Sequence, residues 1–291
     1  MGNTTGWEFT DDRGHLVTAL RRPARVVAYI QAAAALWDHG LRPVGAFGSA
    51  HDRADSLDRA KAGELPLDDP DFAYFGAGGA LDVDALLASG ADLVVCVTYG
   101  GGQLYGIGPE AAKRLEEQVP LAALDIGQGR SLDQVRERCT ELARALGAAP
   151  DPAADAELRD AEAQVRAAAS SPTSPRVLAL SGADQDTVHL ARPHAWPDLA
   201  ALASLGVRLC EPPAEGGVNW ATTPWSEATA LAPDVVLSDA RGNAAPGHNP
   251  LAATVTTVPW NPELPPSARA HARYLRAVAA ALDTTGRTGT V

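Results

Sequence analysis

"DPAADAELRDAEAQVRAAA", residues 151–169, is the longest helical pattern in the chain. Leu158, Ala161, Val165 and Ala168 recur at spacings of three and four, which lays one apolar stripe along an α-helix. Asp151 suits the N-cap, and Pro152 suits the first helical position, where a missing N–H costs nothing. "SSPTSP", residues 170–175, then breaks the helix. The stretches on either side have a different rhythm.

Before it, short apolar runs alternate with helical ones. Residues 25–30, 43–47, 91–98 and 121–126 read as strands, and 32–39, 81–88, 110–118 and 132–146 as helices. After it the alternation restarts, with strands at 176–180, 207–210 and 235–238 and helices at 197–205, 226–230 and 267–282. Strands separated by helices of this length imply βαβ units and a mainly parallel sheet. The expected architecture is α/β, with two Rossmann-like lobes over residues 1–148 and 173–291. One long backbone helix, within 149–172, connects them.

Composition narrows the function. The 291 residues are 46% hydrophobic and carry a formal charge of −12, with 24 basic residues and no basic run longer than Arg21-Arg22. Neutralising phosphates requires clustered cations, so nucleic acid is not an expected partner. No stretch reaches the roughly 18 apolar residues of a membrane span. The first residues lack the charged and apolar regions of a signal peptide. Cys96, Cys139 and Cys210 form neither a disulfide framework nor a zinc pattern, and seven scattered histidines suggest no metal site. No intrinsic cofactor is expected.

The chain opens on "WEFTDDRGHLVTALRRPARVVAYI", residues 7–30, a hairpin turning at Asp12-Arg13-Gly14 and then a core strand. "TDDRGHLVTALRRPARVVAY" resembles the mature start of the helical-backbone (class III) substrate-binding proteins of ABC transporters, the iron–siderophore, haem and cobalamin type. "LDVDALLASGADLVV" (81–95) and "WSEATALAPDVVL" (225–237) resemble the block that recurs in each lobe of that family. "AWPDLAALASLGVRL" (195–209) is similar to the helix and strand of its second lobe. The likeness runs from about residue 9 to 283. It implies the class III periplasmic-binding-protein fold and a monomer that clamps a metal chelate between two lobes. Most readily this is a ferric siderophore, delivered to an ABC permease.

In such lobes ligands bind beyond the carboxyl ends of the strands. In the first lobe those positions hold Tyr29, Gln31, His51, Arg53, Phe75, Tyr99, Gln103 and Tyr105. In the second they hold Arg192, His194, Trp196, Trp220, Trp225, Arg241 and Trp260. Aromatic side chains offer large contact areas at little entropic cost. Arg192 and Arg241 can hold hydroxamate, carboxylate or catecholate oxygens bidentately. "VTYGGGQLYG" (97–106) places three glycines directly after a strand, where backbone can approach a ligand. It is not a dinucleotide fingerprint, because Tyr105 stands where the last Gly would be, as does Leu81 after Gly76 and Gly78.

The resemblance implies an exposed carboxylate on each lobe for docking to permease arginines. Asp84 fills that position in the first lobe. In the second the count lands on Ser226, with Glu227 one step round the helix. The weakened pair leaves open an alternative: a cytoplasmic homologue that has lost transport and serves as a ligand sequestrant, chaperone or enzyme on a bulky small molecule. No catalytic set is recognisable, and fold alone does not decide. Location is open in the same way. It is cytoplasmic if Met1 is the true start, and extracytoplasmic and membrane-associated if a leader or lipid-anchored cysteine precedes it.

Overall fold

The computed structural model describes residues 6–49, 51–52, 58–127, 129–171, 173–242, 244 and 249–288. The chain divides into two compact units. Unit 1 is Met1–Asp151 with Glu263–Ser267, and unit 2 is Pro152–Pro262 with Ala268–Val291.

Unit 1 begins with an antiparallel hairpin of β1 (Trp7–Thr10) and β2 (Leu16–Ala19). Gly14 takes a φ of +81° in its turn, as the Asp-Arg-Gly sequence leads one to expect. The buried Asp11 carboxylate accepts hydrogen bonds from the backbone N–H groups of Arg13, His15 and Ala123, which ties the hairpin to the sheet. There follow β3 (Val26–Tyr29), α1 (Ile30–Asp38), β4 (Gly45–Gly48), α2 (Arg59–Ala62) and β5 (Ala73–Ala77). Next come α3 (Val83–Ala88), β6 (Leu93–Thr98), α4 (Pro109–Gln118), β7 (Leu121–Asp125) and α5 (Leu132–Ala145). The five parallel strands lie in the order β5-β4-β3-β6-β7. β3 and β6 are buried at every residue, because a central parallel strand is covered on both faces. α5 starts with a capping box between Ser131 and Gln134.

Unit 2 begins with α6 (Pro152–Ala169), β8 (Arg176–Gly182), β9 (Thr187–Ala191), α7 (Pro197–Ser204) and β10 (Arg208–Leu209). It continues with β11 (Trp220–Pro224), α8 (Trp225–Ala230), β12 (Val235–Asp239), β13 (Thr256–Trp260) and α9 (Ala268–Thr288). α6 is the long helix of the sequence pattern. Its Leu158, Ala161 and Val165 share a core with Ala272, Leu275, Val278 and Leu282 of α9. The sheet runs β11-β9-β8-β12-β13, with β10 beside the start of β8. It is mixed, because β9 pairs antiparallel with both β8 and β11. β9 and β11 were not among the expected strands. Their alternation of covered and partly exposed residues belongs to a half-solvated sheet edge, whereas the sequence reading sought continuous apolar runs.

Candidate functional site: two aromatic faces

In unit 1 the chain leaves β3 toward β4 on one side, while β6 lies on the other. The strand order therefore reverses between β3 and β6, and beyond the carboxyl ends of the strands at such a reversal is where sheets of this kind bind ligands. Tyr29 ends β3, and Tyr99 follows the last residue of β6. Tyr105 joins them, with its ring centroid 5.8 Å from Tyr29 and 4.7 Å from Tyr99, edge to face in both cases. Exposure is graded through the three rings: Tyr29 is fully buried, Tyr105 is half-buried and Tyr99 is 40% exposed.

The backbone explains why the outermost ring stands where it does. Gly100, Gly101 and Gly102 all have positive φ, so this turn needs glycine for its conformation, since a Cβ on any of them would meet open space. Gly127 is needed for a different reason. A Cβ there would come within 2.7 Å of the Tyr99 carbonyl carbon.

Behind the tyrosines lies a buried ionic cluster. The Lys61 ammonium is 2.5 Å from Asp52 and 3.0 Å from Glu263, and its side chain is fully buried. Tyr29 donates its hydroxyl hydrogen bond to Glu263 at 2.5 Å. The backbone N–H of Ser49 donates to the second Asp52 oxygen, and the Ser49 side chain meets the Tyr105 hydroxyl. Burial lowers the proton affinity of Lys61, but the two carboxylates more than offset it, so its pKa lies above the ordinary value. Burial, and then the Glu263 charge, hold both Tyr29 and Tyr105 above the ordinary phenol range. They stay protonated, which suits hydrogen bonding and stacking.

The other first-lobe candidates divide. Gln31 is buried in α1, where its amide donates to the Leu264 carbonyl at 3.0 Å. Phe75 is buried in β5. His51 and Gln103 are exposed. Arg53 lies outside the described residues.

Unit 2 brings three of its tryptophans together. Trp220 is 5.0 Å from Trp196 and 5.9 Å from Trp260, and Trp196 is 5.8 Å from Trp260. Trp260 is fully buried and donates its indole N–H to Asp198 at 2.5 Å. Burial pushes the Asp198 carboxyl up to about 6, against the opposing pull of the Trp260 hydrogen bond. Trp225 does not join this group. It lies in a separate core with Leu178, Leu180 and Val236, and its indole faces the Asp184 carbonyl.

Neither arginine stands bare. Arg241 pairs with buried Asp239 at 2.7 Å, so its charge is balanced. Arg192 donates to the carbonyls of Gly217, Ala214 and Glu215 at 2.8, 3.0 and 2.8 Å. Carbonyls orient a guanidinium without neutralising it, so Arg192 keeps its charge. His194 is exposed. Of the two docking candidates, Asp84 is ion-paired to Arg114 at the start of α3, and Glu227 is exposed in the first turn of α8.

Asp52, Lys61, Glu263 and Asp198 were not singled out by the sequence. A lysine in "DRAKAGEL" and a glutamate in "NPELPP" look like solvated loop residues, and nothing in their spacing announces that they meet.

The two α/β units, each carrying an aromatic group, have the fold of the helical-backbone, class III substrate-binding proteins. Among solved structures it is similar to DesE, a ferric-siderophore receptor protein from Streptomyces coelicolor. The two are 27% identical over 95% of this chain and 98% of that one, with a TM-score of 0.84. The fold is also that of the siderophore periplasmic binding protein from the fuscachelin gene cluster of Thermobifida fusca, at 17% identity over 91% and 97% of the two chains and a TM-score of 0.60. The siderophore binding protein FhuD from Vibrio cholerae, solved with Fe3+-Desferal, matches at 16% identity over 90% and 98%, with a TM-score of 0.61. No protein-family model and no curated protein matches the chain. Among the described residues no helix is long and apolar enough to cross a membrane, and no group of side chains could hold a metal ion.

Proposed function

We propose that this protein is a substrate-binding protein for ABC-type uptake, and that its ligand is an oxygen-rich ferric chelate of hydroxamate or carboxylate type. Unit 1 offers the tyrosine face and unit 2 the tryptophan face with Arg192. The observation that carries this reading is the Tyr29–Tyr105–Tyr99 group at the strand-order reversal of unit 1, in a chain that matches a ferric-siderophore receptor along nearly its whole length.

The chemistry favours a chelate whose iron is already wrapped. A phenol that ligates iron must lose its proton, and Tyr29 and Tyr105 are held in the protonated form. Tyr99 and the half-buried Tyr105 offer aromatic contact area, while buried Tyr29, whose hydroxyl is donated to Glu263, supports them from behind. Arg192 supplies the unneutralised cation, and Arg241, balanced by Asp239, is the lesser contributor. Asp84 and Glu227 are the carboxylates we assign to permease docking. We place the working protein as a monomer outside the cytoplasmic membrane, which cell fractionation checks directly.

The test is a tryptophan-fluorescence titration with ferrichrome, ferric citrate, haem and cobalamin in parallel. Saturable quenching by a ferric hydroxamate or carboxylate, weakened by Tyr99→Ala and Arg192→Ala, is expected. Saturable quenching by haem or cobalamin alone, or by none of the four, overturns the proposal.

A further inference from the structure

Burying three charges is a poor way to stabilise a domain. Well-packed apolar side chains of the same volume commonly do as well or better, so a buried ionic cluster invites a reason other than stability. The Lys61 cluster has one in its connections. Asp52, on one side of the ammonium, accepts from the backbone N–H of Ser49, the residue whose side chain meets the Tyr105 hydroxyl. Glu263, on the other side, accepts from the Tyr29 hydroxyl. Each carboxylate thus fixes one tyrosine of the face, and the lysine fixes both carboxylates.

Each end of the cluster is held independently. Gly106, at φ +74°, packs against the Ser49 backbone, where a Cβ would stand 3.0 Å from the Ser49 Cα. The Glu263–Ser267 segment is tied down by the Gln31 amide at Leu264 and by the Ser267 hydroxyl donating to Asp38. The two carboxylates are therefore set at a defined spacing, with the Lys61 ammonium between them.

We propose that Lys61 is a positioning residue for ligand recognition: it touches no ligand, but through Asp52 and Glu263 it sets the orientation of Tyr105 and Tyr29, and through Tyr105 that of exposed Tyr99. This rests on the reading of the tyrosine group as a ligand face. It adds that the recognition geometry is held from behind by a charge.

The experiment labels the five tyrosines with 3-fluorotyrosine and follows their 19F resonances in ligand-free protein, assigned by single Tyr→Phe changes. Lys61→Met removes the ammonium at nearly constant volume. It should shift the resonances of Tyr29, Tyr105 and Tyr99, while Tyr274, partly buried in unit 2, stays in place. The same variant should bind ferrichrome roughly tenfold more weakly, a usual consequence of disturbing residues that orient contacting side chains. If Lys61→Met does not fold, Glu263→Gln carries the test, since it keeps an acceptor for Tyr29 while removing one charge. A shift confined to Tyr29, with Tyr105 and Tyr99 unmoved, overturns the proposal and leaves the cluster a purely local packing feature. If no ferric ligand binds the wild type, the functional reading fails, and the resonances of Tyr105 and Tyr99 still decide whether Lys61 sets their orientation.

Discussion

Replacing Asp198 by asparagine should flatten the pH dependence of stability between pH 4 and 6. An aspartate ordinarily titrates at 3.8, and burial raises this one to about 6 in the folded protein. Between those two values the folded state binds a proton that the unfolded chain does not. Stability is then fully present below pH 3.8 and falls as the pH rises through 6, by about 3 kcal/mol in total, at 1.36 kcal/mol for each pH unit that separates the two values. Trp260 donates its indole N–H to this carboxyl, and an asparagine oxygen can still accept that bond. The asparagine variant should therefore fold and lack the slope. The assay is urea denaturation at half-unit steps from pH 4 to 7 on both proteins, with the difference between the two curves isolating residue 198. Native-state tryptophan emission should titrate with a midpoint near 6 in the wild type only, because the acceptor of Trp260 changes charge. Parallel stability curves for the two proteins would refute the reasoning.

The opposite sign is expected at the hairpin. Asp11 is pulled below the ordinary carboxylate range: three backbone N–H groups and Arg13 outweigh the burial that would raise it. Its contribution is present above pH 3.8 and lost below. Asp11→Ala should abolish that acid-limb dependence and cost about 1–3 kcal/mol at pH 7, because it strips the acceptor from the buried Ala123 N–H while Arg13 keeps Glu116, read by urea denaturation. Gly127→Ala places a methyl within 2.7 Å of the Tyr99 backbone. It should cost about 1–3 kcal/mol and weaken ferrichrome binding by displacing Tyr99, whereas an unchanged stability and affinity would show that the contact is relieved freely.

The elements were legible where a local pattern fixes them. β3, β6 and β12 are apolar runs because strands at the centre of a parallel sheet are covered on both faces, and that requirement is written into every residue. The three-and-four spacing of α6 and the Asp-Arg-Gly turn of the first hairpin are local in the same sense. Tyr29, Tyr99 and Trp260 could be named because they end or follow strands, whereas Trp220 opens β11, and the grouping of the rings could not be read at all. Trp196, Trp220 and Trp260 meet while Trp225 goes to another core, because the sheet order sets which strand ends are neighbours.

The sequence by itself determined the alternation of strands and helices, the hairpin at the start and the long helix at residues 152–169. Only the tertiary structure decided that Lys61 lies between Asp52 and Glu263, that Asp198 is buried beneath Trp260, and that Arg192 is held by carbonyls while the charge of Arg241 is balanced by Asp239. The physical reason is range. Hydrophobic periodicity repeats over a few residues and can be read along the chain, whereas a charge meets its partner across some 200 residues through the folding of the backbone. Its energy then depends on a burial that no local window reports.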